Sequence, residues 1–310
     1  MKNKSIIFMG TPEFAVASLK YLINENYNVI GVITGIDKKR GRGRKIQFSP
    51  IKKFALKNKL KVYQPDNLKD INFLNTIKLL NPDLFVVVAF RMLPEVLINI
   101  PKYGCINLHS SILPNYRGAA PINWVIINGE KQTGVTTFFI NKKIDEGDII
   151  DSEKVLISSY ETAGTLHNKL MKIGADLVTK TVKNVFNENY SRKKQIISNN
   201  DKIAPKIDRN LCEIDLDLKA NEIVQLVRGL SPYPGSRLRF NDKIYKIINC
   251  KLANKNINSE STMFVDNNKL YFNNNRGHSL EITEIQAEGK KIMKSSEYLR
   301  GNKLWKTYHL

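Results

Sequence analysis

Residues 5–34 read SIIFMGTPEFAVASLKYLINENYNVIGVIT, and this stretch decides the fold. Ile6 to Met9 is an unbroken apolar run, as expected of a strand buried on both faces. Gly10-Thr11-Pro12-Glu13 interrupts it. Thr11 can cap the next helix, with Pro12 in its first position and Glu13 near its positive end. Phe14, Leu19 and Leu22 follow at helical spacing, and Asn28 to Thr34 returns as a second apolar strand. Strand, turn, helix and strand in this order begin a parallel α/β sheet. The first turn, G-T-P-E-F, is not G-x-G-x-x-G, so the nicotinamide-dinucleotide signature is missing. The opening Met1-Lys2-Asn3-Lys4 loosely imitates a signal peptide. Its apolar stretch is short and has no small-residue cleavage pattern, so it reads as a strand.

Working outward, Ser49-Pro50 begins another helix, and Leu84 to Ala89 is a third, fully apolar strand. Cys105 to His109 is a fourth strand. Ala120 to Asn128 is a helix stopped by Gly129. Val135 to Ile140 and Ile149 to Ile157 are further strands. Leu166, Leu170, Ile173 and Leu177 mark a helix over 162–187. The polar stretch 189–206 reads as a linker. Beyond it lies one helix, Asn221 to Arg228, ended by Gly229. Short strands follow near 236–240, 244–249, 262–265, 269–273 and 279–284. Asn241-Asp242, Asp266-Asn267-Asn268 and Arg276-Gly277 are turn signals between them. Many short strands read as a small barrel or sandwich, taken here as an OB-like β-barrel, a shape suited to irregular RNA. The expected organisation is therefore a mostly parallel, Rossmann-like α/β domain over 1–189, a basic linker over 190–205 and a β-barrel over 206–310.

The 310 residues are 42% hydrophobic and 25% charged, ordinary values for a globular chain. The longest apolar run, Leu84 to Phe90, is far too short for a membrane span, so no membrane partner is expected. Cys105, Cys212 and Cys250 lie far apart without a C-x-x-C, which points to no metal site, no disulfide framework and a reducing cytoplasm. The formal charge of +20 suggests a polyanionic partner, with base-composition drift as the competing explanation. Its distribution decides little: 31 basic against 17 acidic residues over 1–205, and 18 against 12 over 206–310. Local clustering says more. Residues 38–45, K-K-R-G-R-G-R-K, hold six basic residues in eight. Gly41 and Gly43 let that loop bend, and arginines pair well with phosphates. Arg192-Lys193-Lys194, Lys202 and Lys206 add charge near the linker.

Chemistry concentrates in residues 104–121, G-C-I-N-L-H-S-S-I-L-P-N-Y-R-G-A-A-P. Asn107 and His109 are two apart on a strand, so their side chains leave one face. An amide donor and an imidazole at the carboxyl end of such a strand can stabilise an oxyanion at an acyl carbon. Asp145, in I-D-E-G-D, is a candidate carboxylate partner. Taken alone, His109 reads equally as a structural histidine and Asp145 as a turn residue.

The combined pattern resembles the formyltransferases that use 10-formyltetrahydrofolate. N-L-H-S-S-I-L-P over 107–114 and I-D-E-G-D-I over 144–149 match that family's Asn-x-His, Ser-Leu-Leu-Pro and Asp-containing motifs. G-T-P-E-F-A at 10–15, G-R-G-R-K at 41–45, Y-R-G-A-A-P at 116–121, Ala204-Pro205-Lys206-Ile207, Ser231-Pro232-Tyr233-Pro234-Gly235 and Q-A-E-G-K-K-I-M at 286–293 extend the resemblance to the branch acting on aminoacyl-tRNA. The resemblance implies formyl transfer from 10-formyltetrahydrofolate to the α-amine of methionyl-initiator tRNA by a cytoplasmic monomer. It implies Asn107, His109 and Asp145 as catalytic residues. Folate would be held by Ser111, Ile112, Leu113 and Pro114, and by the loop Phe90, Arg91, Met92 and Leu93. It further implies that Arg40, Arg42, Arg44 and Lys45 enter the acceptor stem, with Arg42 foremost, and that Lys206 tracks the RNA. Initiator choice would rest on a weak first base pair. Glu146 departs from the family's Thr and adds a charge beside Asp145. Two other readings stay open: formylation of a small amine, and RNA binding without catalysis.

Overall fold

The computed structural model describes residues 4–40 and 45–302. Seven strands form one sheet in the order Ile149–Leu156, Gln132–Phe139, Cys105–His109, Leu84–Val88, Ser5–Gly10, Asn28–Ile33, Val62–Tyr63. From Cys105–His109 to Val62–Tyr63 the neighbours are parallel. Gln132–Phe139 and Ile149–Leu156 are added antiparallel. Ile6, Ile7, Phe8 and Met9 are fully buried, as are Leu84, Phe85, Val86 and Val88. Burial on both faces is why these strands are continuously apolar. Ile7, Met9, Ile33, Phe85, Val87 and Cys105 belong to one core cluster, with Leu74, Ile77 and Leu97.

The helices begin largely where local chemistry directs. Ser49 accepts from Lys52 N–H at 3.2 Å and Pro50 opens the helix Pro50–Lys57. The helix Glu13–Asn24 corrects one detail: Pro12, not Thr11, occupies the capping position and no side chain caps it. Pro12 is extended there (ψ 178°), which leaves Glu13 as the first helical residue. Several elements have no counterpart in the sequence reading, among them the short strand Val62–Tyr63 and the helix Ile71–Leu79, capped by Asp70.

The chain divides into two compact units. The first comprises Met1–Gly118, Gln132–Leu156 and His167–Ile203; the second comprises Ala119–Lys131, Ile157–Leu166 and Ala204–Leu310. The segments 119–131 and 157–166, which the sequence reading keeps in the first domain, thus group with the second. The stretch read as a linker groups with the first unit through residue 203. Lys193 bridges Ile149, and Gln195 is buried.

In the second unit the strands run Ser236–Phe240, Lys243–Leu252, Ser279–Ala287, Lys269–Asn273, Met263–Asp266, with Met293–Lys294 also paired to Ser279–Ala287. All these pairs are antiparallel. The expected turns are present: Asn241 and Asp242 have φ 46° and 57°, and Asn267 and Asn268 have 47° and 60°, the positive values that tight hairpins require. Leu238, Ile247, Leu270, Phe272 and Ile282 form the core with Ile223 and Val227 of the helix Ala220–Leu230 and Tyr298 of Ser295–Arg300. The outer strands Ser236–Phe240 and Met263–Asp266 end the order without pairing each other among the described residues. The barrel of the sequence reading is therefore a half-barrel of antiparallel strands.

Gly134 sits where its strand meets Ile149–Leu156. A Cβ there would lie 2.0 Å from Glu153 O and 2.4 Å from Ile112 Cδ1. Gly134→Ala is expected to lower stability by about 1–3 kcal/mol through overpacking, measured by urea unfolding. A midpoint equal to the parent's would contradict this close packing.

Candidate active site

The site is built on the strand Cys105–His109. Asn107 lies opposite Val87 and Phe138, and His109 opposite Thr136. Their side chains leave the same face, about 7 Å apart along the strand. Asn107 is half-buried and His109 is buried. They stand toward the carboxyl end of the parallel strands, where open α/β sheets receive ligands.

His109 Nε2 lies 2.8 Å from the Tyr116 carbonyl oxygen. A carbonyl only accepts, so Nε2 carries a hydrogen and donates it. The other nitrogen, Nδ1, then faces Asp145 Oδ2 at 3.7 Å. This is an ion-pair separation, longer than a hydrogen bond. The same Oδ2 accepts from Gly118 N–H at 2.9 Å. The structure thus brings His109 and Asp145 together, although they lie on different elements. Both imidazole nitrogens point at protein oxygens, so the ring can bring positive charge and orientation. The amide of Asn107 offers the donor.

Asp145 has φ 54°, a left-handed conformation that Asp tolerates better than most residues. Its loop is held from below. Gln195 Nε2 donates to Asp145 O at 2.8 Å and to Gly147 O at 2.7 Å. Gly147 admits no side chain, since a Cβ would lie 1.6 Å from Phe139 O. The extra charge of Glu146 is met by cations: Arg117 Nη1 is 3.6 Å from one carboxylate oxygen and Lys143 Nζ is 3.3 Å from the other. Arg117 also pairs with Asp201 at 3.3 Å.

The segment Ser111, Ile112, Leu113, Pro114 forms a tied turn beside the strand end. Thr136 Oγ1 donates to Ser111 O at 2.7 Å and accepts from Leu113 N–H at 3.2 Å. Ser111 Oγ donates to Asn115 O at 2.6 Å, so this hydroxyl supports the turn itself. Leu113 is buried, while Ile112 and Pro114 are half-buried. Phe90, Arg91, Met92 and Leu93 follow the strand Leu84–Val88 after Ala89. Leu93 is buried, Phe90 is half-buried and Met92 is exposed. Arg91 donates to the carbonyls of Asp66 and Pro65, which fixes this loop.

The basic loop leaves a hairpin in which Arg40 pairs with Lys45, between Lys38–Arg40 and Lys45–Gln47. Arg42 and Arg44 lie outside the described residues. The hairpin's base is anchored. Lys52 Nζ donates to Asp37 Oδ2 at 2.5 Å and to Gln64 Oε1 at 2.6 Å. The hydrogen bond from Lys52, a second from Gln64 Nε2 to Asp37 Oδ1 at 3.0 Å and the Lys52 charge hold the Asp37 carboxyl below its ordinary value. Lys206 is exposed in the second unit.

Sequence reasoning passed over the supporting roles of Tyr116, Gly118, Thr136 and Gln195. Tyr116 and Gly118 lie inside the quoted Y-R-G motif, which was the available signal. Gln195 had none. Among the described residues, no group of three or more His, Cys, Asp and Glu is placed to hold a metal ion, and no helix is long and apolar enough to cross a membrane. All three cysteines are buried. Burial raises the thiol of Cys105 well above its usual range and pushes that of Cys250 up to about 12. A thiolate nucleophile is therefore unavailable at neutral pH.

Against this geometry, known proteins give a consistent match. Residues 3–182 match the family described as formyl transferase, and 206–303 match the formyl transferase C-terminal domain. The chain belongs to the formyltransferase family. Relatives named methionyl-tRNA formyltransferase match nearly end to end. That of Flavobacterium johnsoniae is 46% identical over 305 residues, covering 97% of each chain. That of Clostridioides difficile is 43% identical over 301 residues, covering 96% of each. Among solved structures, the sugar 3N-formyl transferase WlaRD, in the presence of dTDP and 5-N-formyl-THF, is 25% identical with a TM-score of 0.67, covering 93% of this chain and 99% of that one.

In native protein at neutral pH, a maleimide probe is expected to label none of the three thiols, and in urea all of them. Rapid native labelling would contradict the burial.

Proposed function

We propose that this formyltransferase moves the formyl group of 10-formyltetrahydrofolate to the free α-amine of methionyl-initiator tRNA, for translation initiation. The single observation that carries the site assignment is the convergence of Asp145 and His109 at a strand end that also presents Asn107. The near full-length relatives named for methionyl-tRNA support the acceptor. The folate-bearing sugar N-formyltransferase of the same fold supports the donor.

The formyl donor supplies an acyl carbon activated on nitrogen. Asn107 donates a hydrogen bond to the formyl oxygen as it gains negative charge. His109, oriented by Tyr116, places imidazolium charge beside that oxygen. Asp145 keeps the imidazolium paired and relays the proton released as the amine adds, directly or through water, to N10 of the folate. The carbon–N10 bond breaks as the adduct collapses, tetrahydrofolate leaves with that proton, and Asp145 is again a carboxylate. Ser111, Ile112, Leu113 and Pro114, with Phe90, Arg91, Met92 and Leu93, frame the folate. Backbone groups face its amide-like edge, and apolar side chains line its ring. Residues 1–189 carry the chemistry and 206–310 contribute to holding tRNA, with Arg40, Arg42, Arg44, Lys45 and Lys206 on phosphates. All groups in this scheme come from one chain, so a monomer suffices, acting in the cytoplasm where initiation occurs.

Asn107→Ala is expected to reduce turnover by about 10²–10³-fold, as when an oxyanion donor is removed. Asp145→Ala should cost about 10²–10⁴-fold. Folate affinity should remain near the parent's. Full turnover in His109→Ala would end the assignment. Offered charged initiator tRNA, charged elongator tRNA and small amines such as amino sugars in parallel, the enzyme should formylate the first. Preference for a small amine would overturn the acceptor. Arg42→Ala should raise KM for tRNA and flatten its salt dependence; an unchanged slope would argue against phosphate contact by that residue.

A further inference from the structure

We infer that Gln195 is a positioning residue for Asp145. This rests on the reading that Asp145 takes part in the reaction. Gln195 lies in a mostly polar stretch, R-K-K-Q-I-I-S-N-N-D over 192–201, whose other residues are mostly exposed. Gln195 itself is only 7% exposed. Its amide nitrogen has two hydrogens, and they meet two carbonyls, Asp145 O at 2.8 Å and Gly147 O at 2.7 Å. One planar group therefore spans the arc 145–147. A backbone N–H has a single hydrogen to share, whereas the carboxamide nitrogen gives each carbonyl its own.

The arc needs such a brace. Asp145 is left-handed at φ 54°, a conformation that persists where surrounding structure over-determines it. Gly147 is pressed against the Phe139 carbonyl. Without Gln195 the carbonyl of Asp145, which is half-buried, and that of Gly147, which is buried, would lose these donors, an expensive loss for the buried one. The brace is itself fixed. Lys193 N–H donates to Ile149 O at 2.9 Å and Ile149 N–H to Lys193 O at 2.8 Å, so the segment is clamped to the edge strand two residues before Gln195. On the far side, Ser198 N–H donates to Asp201 at 3.1 Å, and Asp201 pairs with Arg117. The carboxylate of Asp145 already has Gly118 N–H as one anchor. Gln195 supplies the second anchor, at the main chain, and the two together aim Oδ2 at His109.

The test is Gln195→Met, which preserves length and removes both donors. Turnover should fall about 10–100-fold, the scale of a displacement of about 1 Å in a reacting group. KM for charged tRNA and for the formyl donor should stay near the parent values. In an Asp145→Asn background the same change should have no further effect. Parent-like turnover in Gln195→Met overturns the inference. So does an equal loss in the Asp145→Asn background, since Gln195 would then act elsewhere. If Asp145→Asn alone turns over normally, the reading of Asp145 fails instead, and the two failures are told apart. Should Gln195→Met not fold, Gln195→Asn takes its place. Its carboxamide, one methylene short, cannot span both carbonyls, and the same kcat loss and the same dependence on Asp145 are expected.

Discussion

One carboxylate oxygen, Asp145 Oδ2, holds the site together. It accepts from Gly118 N–H and faces His109 Nδ1. Three pieces of chain that are distant in sequence meet there: the end of the strand Cys105–His109, the turn at 116–118 and the loop at 141–148. A hydrogen bond from a neutral N–H to an ionised acceptor is stronger than one between neutral groups. Charge on the imidazole adds Coulomb attraction between two largely buried side chains. Remove this contact and the amide of Asn107 remains, but nothing fixes the proton acceptor against the reacting carbon.

The sheet explains why those pieces can meet. The parallel strands bring Gly10, Val88 and the end of Cys105–His109 toward one edge. The two antiparallel strands that follow then return the chain beside the histidine. Thr136, directly opposite His109, ties the 111–115 turn through both its donor and its acceptor capacity. The loop between the antiparallel strands delivers Asp145. An all-parallel extension would require a crossover of a dozen or more residues, usually a helix, before the next strand.

Much of this was legible in the sequence, for physical reasons that differ by element. Strands buried on both faces, such as Ile6 to Met9 and Leu84 to Val88, announce themselves because every residue must be apolar. Ser49 marks a helix start because its oxygen satisfies an orphan N–H. Asn241-Asp242 marks a hairpin because few other residues accept positive φ. Asn107 and His109 were legible through the two-residue period of a strand. Asp145 required the family resemblance, because a turn carboxylate carries no local mark of its partner. Val62–Tyr63 is two residues long at a sheet edge, too short to show a period. Ile71–Leu79 buries only Leu74 and Ile77. Gln195 was hidden because it holds main-chain oxygens, which every residue possesses, so nothing in its partners' identities betrays it. The grouping of 119–131 and 157–166 with the second unit was also invisible, since periodicity reports a buried face but not what buries it.

The account depends on which imidazole nitrogen bears the fixed hydrogen. Nitrogen-15 NMR of the histidine-labelled enzyme, with His109 assigned by comparison with His109→Ala, reads this directly. In the neutral ring the hydrogen should sit on Nε2, held by Tyr116 O, with Nδ1, facing Asp145, the bare nitrogen. A neutral His109 with the hydrogen on Nδ1 and a bare Nε2 would contradict the arrangement at its centre.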